Sequence, residues 1–167
     1  MKVCVLTVSD RAYRGEYEDL SGPAIEEILR KELAGAEIRR VVVPDEDAEL
    51  TRALDDAGDC DFILTTGGTG LGPRDITPEV TARWCERALP GISEMLRAES
   101  YRETPQAMLS RGYAGVKGKT VAVNFPGSVK AVTLCTRVLL PVMGHAVAML
   151  SGRSEERRVG KECATGC

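Results

Sequence analysis

Apolar and polar positions fall in blocks along this chain, and the blocks alternate between the periods of strand and helix. Val3-Cys4-Val5-Leu6-Thr7-Val8 is a continuous β-rich run, the pattern of a parallel strand covered on both faces. A polar loop over residues 9–20 follows. Ser21-Gly22-Pro23 opens a helix with proline in its first turn, and Ile25, Ile28, Leu29 and Leu33 recur at helical spacing until Gly35 closes it. Residues 38–43 read as a second strand ending at Pro44-Asp45-Glu46-Asp47. Leu50, Ala53 and Leu54 then mark an amphipathic helix that Gly58 stops. Phe62-Ile63-Leu64-Thr65-Thr66 is a third strand; it feeds a glycine-rich loop, and Thr77-Pro78-Glu79 begins the next helix with a threonine cap and an N-terminal proline.

In the second half, residues 92–96 and 106–109 suggest short helices on either side of the polar segment 97–105. Ala114-Gly115-Val116, the turn Lys117-Gly118-Lys119 and Thr120-Val121-Ala122-Val123-Asn124 read as a short strand, a hairpin turn and a core strand. Phe125-Pro126-Gly127-Ser128 makes a second strand-to-helix turn. The helix after it runs through Val132, Cys135, Val138 and Leu139 until Pro141 interrupts it, and another short helix ends near Leu150. The expected fold class is α/β: a three-layer α/β/α domain over residues 1–150, with a mostly parallel sheet carrying a short antiparallel edge hairpin. Residues 151–167 lose the apolar periodicity, read as a flexible tail, and resemble non-native flanking sequence.

Composition narrows the picture. A chain of 167 residues suits one domain with a sizeable core. Twenty-two Lys and Arg against 25 Asp and Glu leave a net charge of -3, which excludes nucleic acid and anionic membranes as expected partners. The N-terminal apolar run is short and lacks a cleavage pattern. The apolar stretch 138–150 contains Pro141 and falls below the roughly 18 residues that span a bilayer, so a cytoplasmic protein is expected. Cys4, Cys60, Cys85 and Cys135 sit in apolar or helical contexts and read as reduced thiols; Cys163 and Cys167 have no second close Cys pair to complete a zinc site. His145, among Val142, Met143, Val147 and Met149, reads as a packed helix histidine, and Trp84 as core.

The candidate chemistry lies in Thr65-Thr66-Gly67-Gly68-Thr69-Gly70-Leu71-Gly72-Pro73-Arg74-Asp75. Glycines let the backbone approach a phosphate, and a following helix start offers free N–H groups and the positive end of a macrodipole. The loop lacks the Gly-Lys-Ser/Thr of a Walker P-loop and the spacing of a dinucleotide fingerprint, which disfavours a generic NTPase or dehydrogenase. A tight strand-to-helix turn is the bland alternative; Thr66, Thr69, Arg74 and Asp75 weigh towards phosphate chemistry. Asp45 and Asp75 both follow strand ends, where an open α/β sheet places its ligand crevice, with helix capping as the alternative for each. Ser9 and Asp10 occupy another strand end as ligand donors or turn caps, and Ser128 offers a hydroxyl and an N–H at a helix start. Arg11 and Lys130 are further candidate phosphate contacts.

Thr65-Thr66-Gly67-Gly68-Thr69-Gly70, Arg74-Asp75 and Thr77-Pro78-Glu79 together resemble the signature of molybdenum-cofactor biosynthesis proteins. Ser9-Asp10-Arg11, Ser21-Gly22-Pro23, Pro44-Asp45, Gly91-x-x-Glu94 and Pro126-Gly127-Ser128-x-Lys130 agree in order, so the resemblance covers residues 3–150. Within that family the chain is most similar to molybdopterin adenylyltransferases of the MogA/MoaB and gephyrin type. The resemblance implies a trimer and attack by the terminal phosphate of molybdopterin on the α-phosphorus of ATP. The products are adenylyl-molybdopterin and pyrophosphate, and the help of Mg²⁺ or another divalent cation is implied. It implies Asp45 and Asp75 as catalytic and metal-holding residues. It also implies Ser9, Asp10, Thr66, Gly67, Gly68, Thr69, Gly70, Arg74, Glu94, Pro126, Gly127 and Ser128 as substrate contacts, and a molybdate-inserting enzyme as a partner. A phosphate monoester is anionic near neutral pH, so such a reaction needs positioning and charge shielding more than a histidine base. Two alternatives share the fold: a non-catalytic molybdopterin-binding or scaffold protein, and a nucleotide pyrophosphatase.

Overall fold

A computed structural model describes residues 1–152. Most of the expected tail, with Cys163 and Cys167, lies outside the described residues. Six strands form one sheet in the order β2-β1-β3-β6-β5-β4. The parallel part comprises β1 (Lys2–Val8), β2 (Glu37–Val43), β3 (Phe62–Thr66) and β6 (Thr120–Phe125). At one edge β5 (Ala114–Lys117) runs antiparallel to β6, and β4 (Arg87–Ala88) antiparallel to β5.

The strands β1 and β3 are buried along almost their whole length because helices cover both faces of the sheet. Successive side chains alternate between the faces. Val3, Val5, Phe62, Leu64, Val121 and Val123 pack against α2 (Ser21–Glu32), α5 (Pro90–Glu103) and α6 (Val129–Leu150). Cys4, Leu6, Val8, Ile63 and Ala122 pack against α3 (Asp47–Asp56) and α4 (Thr77–Trp84), where Trp84 donates its indole N–H to Asp55 Oδ1 at 2.8 Å. Each fully buried aliphatic side chain in these layers contributes about 1.5–3 kcal/mol. Cys4, Cys60, Cys85 and Cys135 are free thiols; burial pushes Cys4, Cys85 and Cys135 up to about 11.

Several expected boundaries change. The loop 9–20 contains a one-turn helix, α1 (Asp10–Tyr13), capped by the Ser9 hydroxyl. The two short helices expected around residues 97–105 are instead α5, continuous over 14 residues, and a 3₁₀ segment Pro105–Leu109. In α5, Ser93 and Ser100 stand beside Leu96 on the buried face, so small polar residues occupy positions that a hydrophobic pattern misses. Pro141 does not interrupt α6, which runs 22 residues and is long and apolar enough to cross a membrane. Its stripe of Val132, Cys135, Leu139 and Met143 continues on both sides of the proline and is buried in the core. Pro141 and Arg137, whose carbonyl loses its i+4 donor, are both exposed, so water can meet that carbonyl. His145 is exposed rather than packed. Thr77 is the first residue of α4, after an Ile76 cap, and its hydroxyl caps nothing.

Candidate active site

The parallel register brings four strand ends to one edge of the sheet: Val8 lies beside Val43, and Thr7, Thr66 and Phe125 stand in line. Ser9-Asp10, Pro44-Asp45, the Gly67-to-Asp75 loop and Pro126-Gly127-Ser128 therefore emerge together, where a parallel sheet builds its ligand crevice. Backbone ties fix them. The Ser9 N–H donates to Val43 O at 2.9 Å, the Gly67 N–H to Phe125 O at 3.2 Å, and the Thr66 hydroxyl to Pro126 O at 2.9 Å.

Two glycines in this edge are obligatory. Gly67 has φ +97° and a Cβ there would lie 2.4 Å from Val8 O; Gly68 has φ +64° and its Cβ would lie 2.2 Å from Thr77 Oγ1 and 3.1 Å from Asp45 Oδ1. The Thr77 hydroxyl is fully buried without a hydrogen-bond partner. The loop thus lies against Asp45 and the start of α4, with no room for a side chain between them.

Three aspartates set the charge. The Asp10 N–H donates to Asp45 Oδ2 at 2.9 Å and the Asp45 N–H to Asp10 Oδ1 at 3.0 Å. Arg74 forks onto the same Asp10 carboxylate, Nε to Oδ2 at 3.0 Å and Nη2 to Oδ1 at 2.9 Å. Burial alone would raise Asp10, but the Asp45 amide and the Arg74 guanidinium hold it below the ordinary aspartate value. Asp45 is raised by burial first and then by the charges of Asp10 and Asp75, against the pull of the Asp10 amide. Asp75 Oδ2 accepts the Gly72 N–H at 2.8 Å, which turns its own loop back on itself.

The cleft has two lobes. One, of about 260 Å³, is polar and lined by Thr7, Ser9, Tyr17, Asp19, Ser21, Asp45 and Thr66; the other, of about 430 Å³, is lined by Thr69, Gly70, Ser100, Thr104, Ala107, Leu109, Ser110, Pro126 and Ser128. Gly67, Gly68, Asp75 and Gly127 border both lobes. Asp10 and Arg74 border neither; they stand behind Asp45. Glu94 is exposed on α5 and also borders neither lobe. Ser128 accepts the Ala131 N–H at 3.2 Å as the cap of α6, Lys130 pairs with Glu103 at 2.7 Å, and Arg11 stacks over the Tyr17 ring. Asp19 is a site residue missing from the expected set. Its carboxylate takes Thr7 Oγ1 at 2.8 Å, Ser21 Oγ at 3.0 Å and the Gly22 N–H at 3.0 Å. Its signal was an acidic residue placed as a cap just before α2.

A family model described as a probable molybdopterin binding domain matches residues 4–145. The chain belongs to that family. It is 41% identical over 152 residues to a molybdopterin adenylyltransferase of Helicobacter pylori J99, covering 89% of this chain and 86% of that protein. The structure of the molybdopterin biosynthesis enzyme MoaB from Thermus thermophilus superposes with TM-score 0.81 at 43% identity, covering 90% of this chain and 96% of that one. A molybdenum cofactor biosynthesis bifunctional protein of Chlorobaculum tepidum is 38% identical over 154 residues, which span 90% of this chain and 49% of that longer protein.

The donor set of this family member fits a hard divalent cation. Among the described residues no group of three or more His, Cys, Asp or Glu side chains gathers into a ready-made metal site. Mg²⁺ does not need one: it binds through one or two carboxylates and completes its shell with water and substrate phosphates. Asp45 supplies a partly buried carboxylate whose ionised form suffers from the neighbouring Asp10 and Asp75 charges, a penalty that a cation offsets.

Proposed function

We propose that this protein adenylylates molybdopterin with ATP, in the cytoplasm, as one step of molybdenum cofactor biosynthesis. The observation that carries the reading is the two-lobed cleft meeting at Gly67-Gly68, Asp75 and Gly127 beside Asp45, in a chain 41% identical to a molybdopterin adenylyltransferase. Two lobes with a shared border suit two substrates whose phosphates meet there.

In the reaction, an oxygen of the terminal phosphate of molybdopterin forms a bond to the α-phosphorus of ATP. The bond from that phosphorus to the bridging oxygen of pyrophosphate breaks, and pyrophosphate leaves. The nucleophile is already anionic, so no side chain needs to remove a proton, which agrees with His145 lying on α6 and bordering neither lobe. Backbone N–H groups of Gly68, Thr69 and Gly70 bind phosphate oxygens, helped by the Thr69 hydroxyl and by Ser128 at the α6 start. Asp45 and Asp75 would hold a divalent cation, whose charge would screen the phosphates when bound. Asp10 and Arg74 fix Asp45 in place. Ser9, Thr66 and Pro126 shape the walls, and Glu94 would reach a substrate only beyond the two lobes.

A homotrimer is part of the same proposal, supported by exposed Met108, Leu109, Val142 and Met149 on the faces of the 3₁₀ segment and α6. The bifunctional relative supports a molybdate-inserting enzyme as the partner that receives the product. The test is pyrophosphate release in the presence of ATP, Mg²⁺ and molybdopterin. Release that depends on the pterin is expected. Tight pterin binding without release would replace this reading with that of a binding protein, and ATP hydrolysis without pterin with that of a pyrophosphatase.

A further inference from the structure

The loop that carries Arg74 and Asp75 leaves the body of the protein at Gly70 and returns at Asp75, and its tip, from Leu71 to Arg74, is exposed. Inside the loop only the Gly72–Asp75 turn supports it. Two ties to other elements add to it: the Arg74 fork on Asp10 at the tip, and one side chain at the base. Arg111, in the segment between the 3₁₀ turn and β5, donates Nε to Gly70 O at 2.8 Å and Nη2 to Asp75 O at 2.5 Å. Its third nitrogen meets the Glu79 carboxylate on α4, and its backbone N–H donates to Thr69 O at 3.0 Å.

We infer that Arg111 is a positioning residue for the transfer reaction: its guanidinium staples the two ends of the Gly70-to-Asp75 loop and so sets where Asp75 and Arg74 stand. A planar fork suits this task because its donors point along fixed directions and can meet two carbonyls at once. Both carbonyls belong to the residues at which the loop departs and returns. Holding them holds the Asp75 backbone, and the Arg74 fork on Asp10 then ties the loop tip across to the Asp45 wall. Glu79 orients Arg111 from the far side, and its pairing holds it below the ordinary glutamate value although burial pulls the other way. It plays no part in the clamp itself.

The inference rests on the adenylyltransferase reading for its catalytic consequence and on the geometry alone for the clamp, so the test has two readouts. Arg111→Met keeps the length of the side chain and removes its donors. Its kcat for pterin-dependent pyrophosphate release should fall about 100-fold, the scale of a small misplacement of reacting groups, with KM for ATP changed little. Arg111→Lys, which can reach one carbonyl but not both, should recover part of that loss. Hydrogen exchange over residues 70–75 should speed at least tenfold in Arg111→Met, with β1, β3 and β6 unchanged. The inference is overturned if folded Arg111→Met exchanges and turns over like the parent protein. Should Arg111→Met fail to fold, Arg111→Lys at full kcat with unchanged exchange overturns it as well. If the parent protein releases no pyrophosphate, the catalytic reading fails, and the exchange measurement still decides the clamp.

Discussion

Asp10 and Asp45 cap each other: each carboxylate accepts the other's backbone N–H, at 2.9 and 3.0 Å, across the ends of two adjacent strands. The pairing places two like charges side by side. It persists because Arg74 neutralises Asp10 from behind and leaves Asp45 facing the cleft. The Asp10 carboxyl is thus held below the ordinary aspartate value and the Asp45 carboxyl above it.

Asp75→Asn and Asp45→Asn keep the side-chain shape and remove the charge proposed to hold a cation. Each should lower kcat for pyrophosphate release by about 100-fold or more while the melting temperature changes little. Equal turnover in both variants and the parent protein would remove these residues from the chemistry.

The pH dependence follows from the opposite shifts. Asp45 must be ionised to hold a cation, and its value lies above the ordinary 3.8, so the acid limb of kcat/KM should fall at a higher pH than an unperturbed aspartate gives. Asp10→Asn removes one of the charges that raise Asp45 and should move that limb to lower pH. The stability contribution of Asp10 has the other sign: with a lowered folded value it is present above the ordinary value and lost as pH falls through the folded one. Acid titration of the melting temperature should therefore be shallower in Asp10→Asn.

Two glycines with positive φ separate strain from function. Gly35 has φ +74° and open space around it, so Gly35→Ala should cost about 1–2 kcal/mol and leave activity intact. Gly68→Ala meets Thr77 Oγ1 at 2.2 Å as well, and should cost more than about 3 kcal/mol and abolish turnover. Thermal melts beside the pyrophosphate assay distinguish the two.

Pro141→Ala restores an N–H for the Arg137 carbonyl in the middle of α6 and should stabilise the protein by about 1–3 kcal/mol without changing activity. A lower melting temperature would show that the ring at position 141 packs against something the helix needs.

Residue order by itself determined the layered α/β architecture, because the apolar runs of β1, β3 and β6 and the helical stripes of α2, α3 and α4 are local patterns that short stretches of chain carry. It also determined the glycine loop and its neighbours Asp45 and Asp75, since strand-end loops in a parallel sheet open on one edge whatever their detailed shape. The tertiary structure decided the rest. Whether Pro141 ends a helix depends on the core that α6 packs against, and whether Ser93 and Ser100 face inward depends on what α5 covers. The roles of Asp10, Asp19 and Arg111 come from contacts with Arg74, Thr7 and Gly70, residues far from them in the chain. Such hydrogen bonds leave no periodic trace in a sequence, because a single polar side chain reads the same on a solvated surface as at the base of a loop it holds in place.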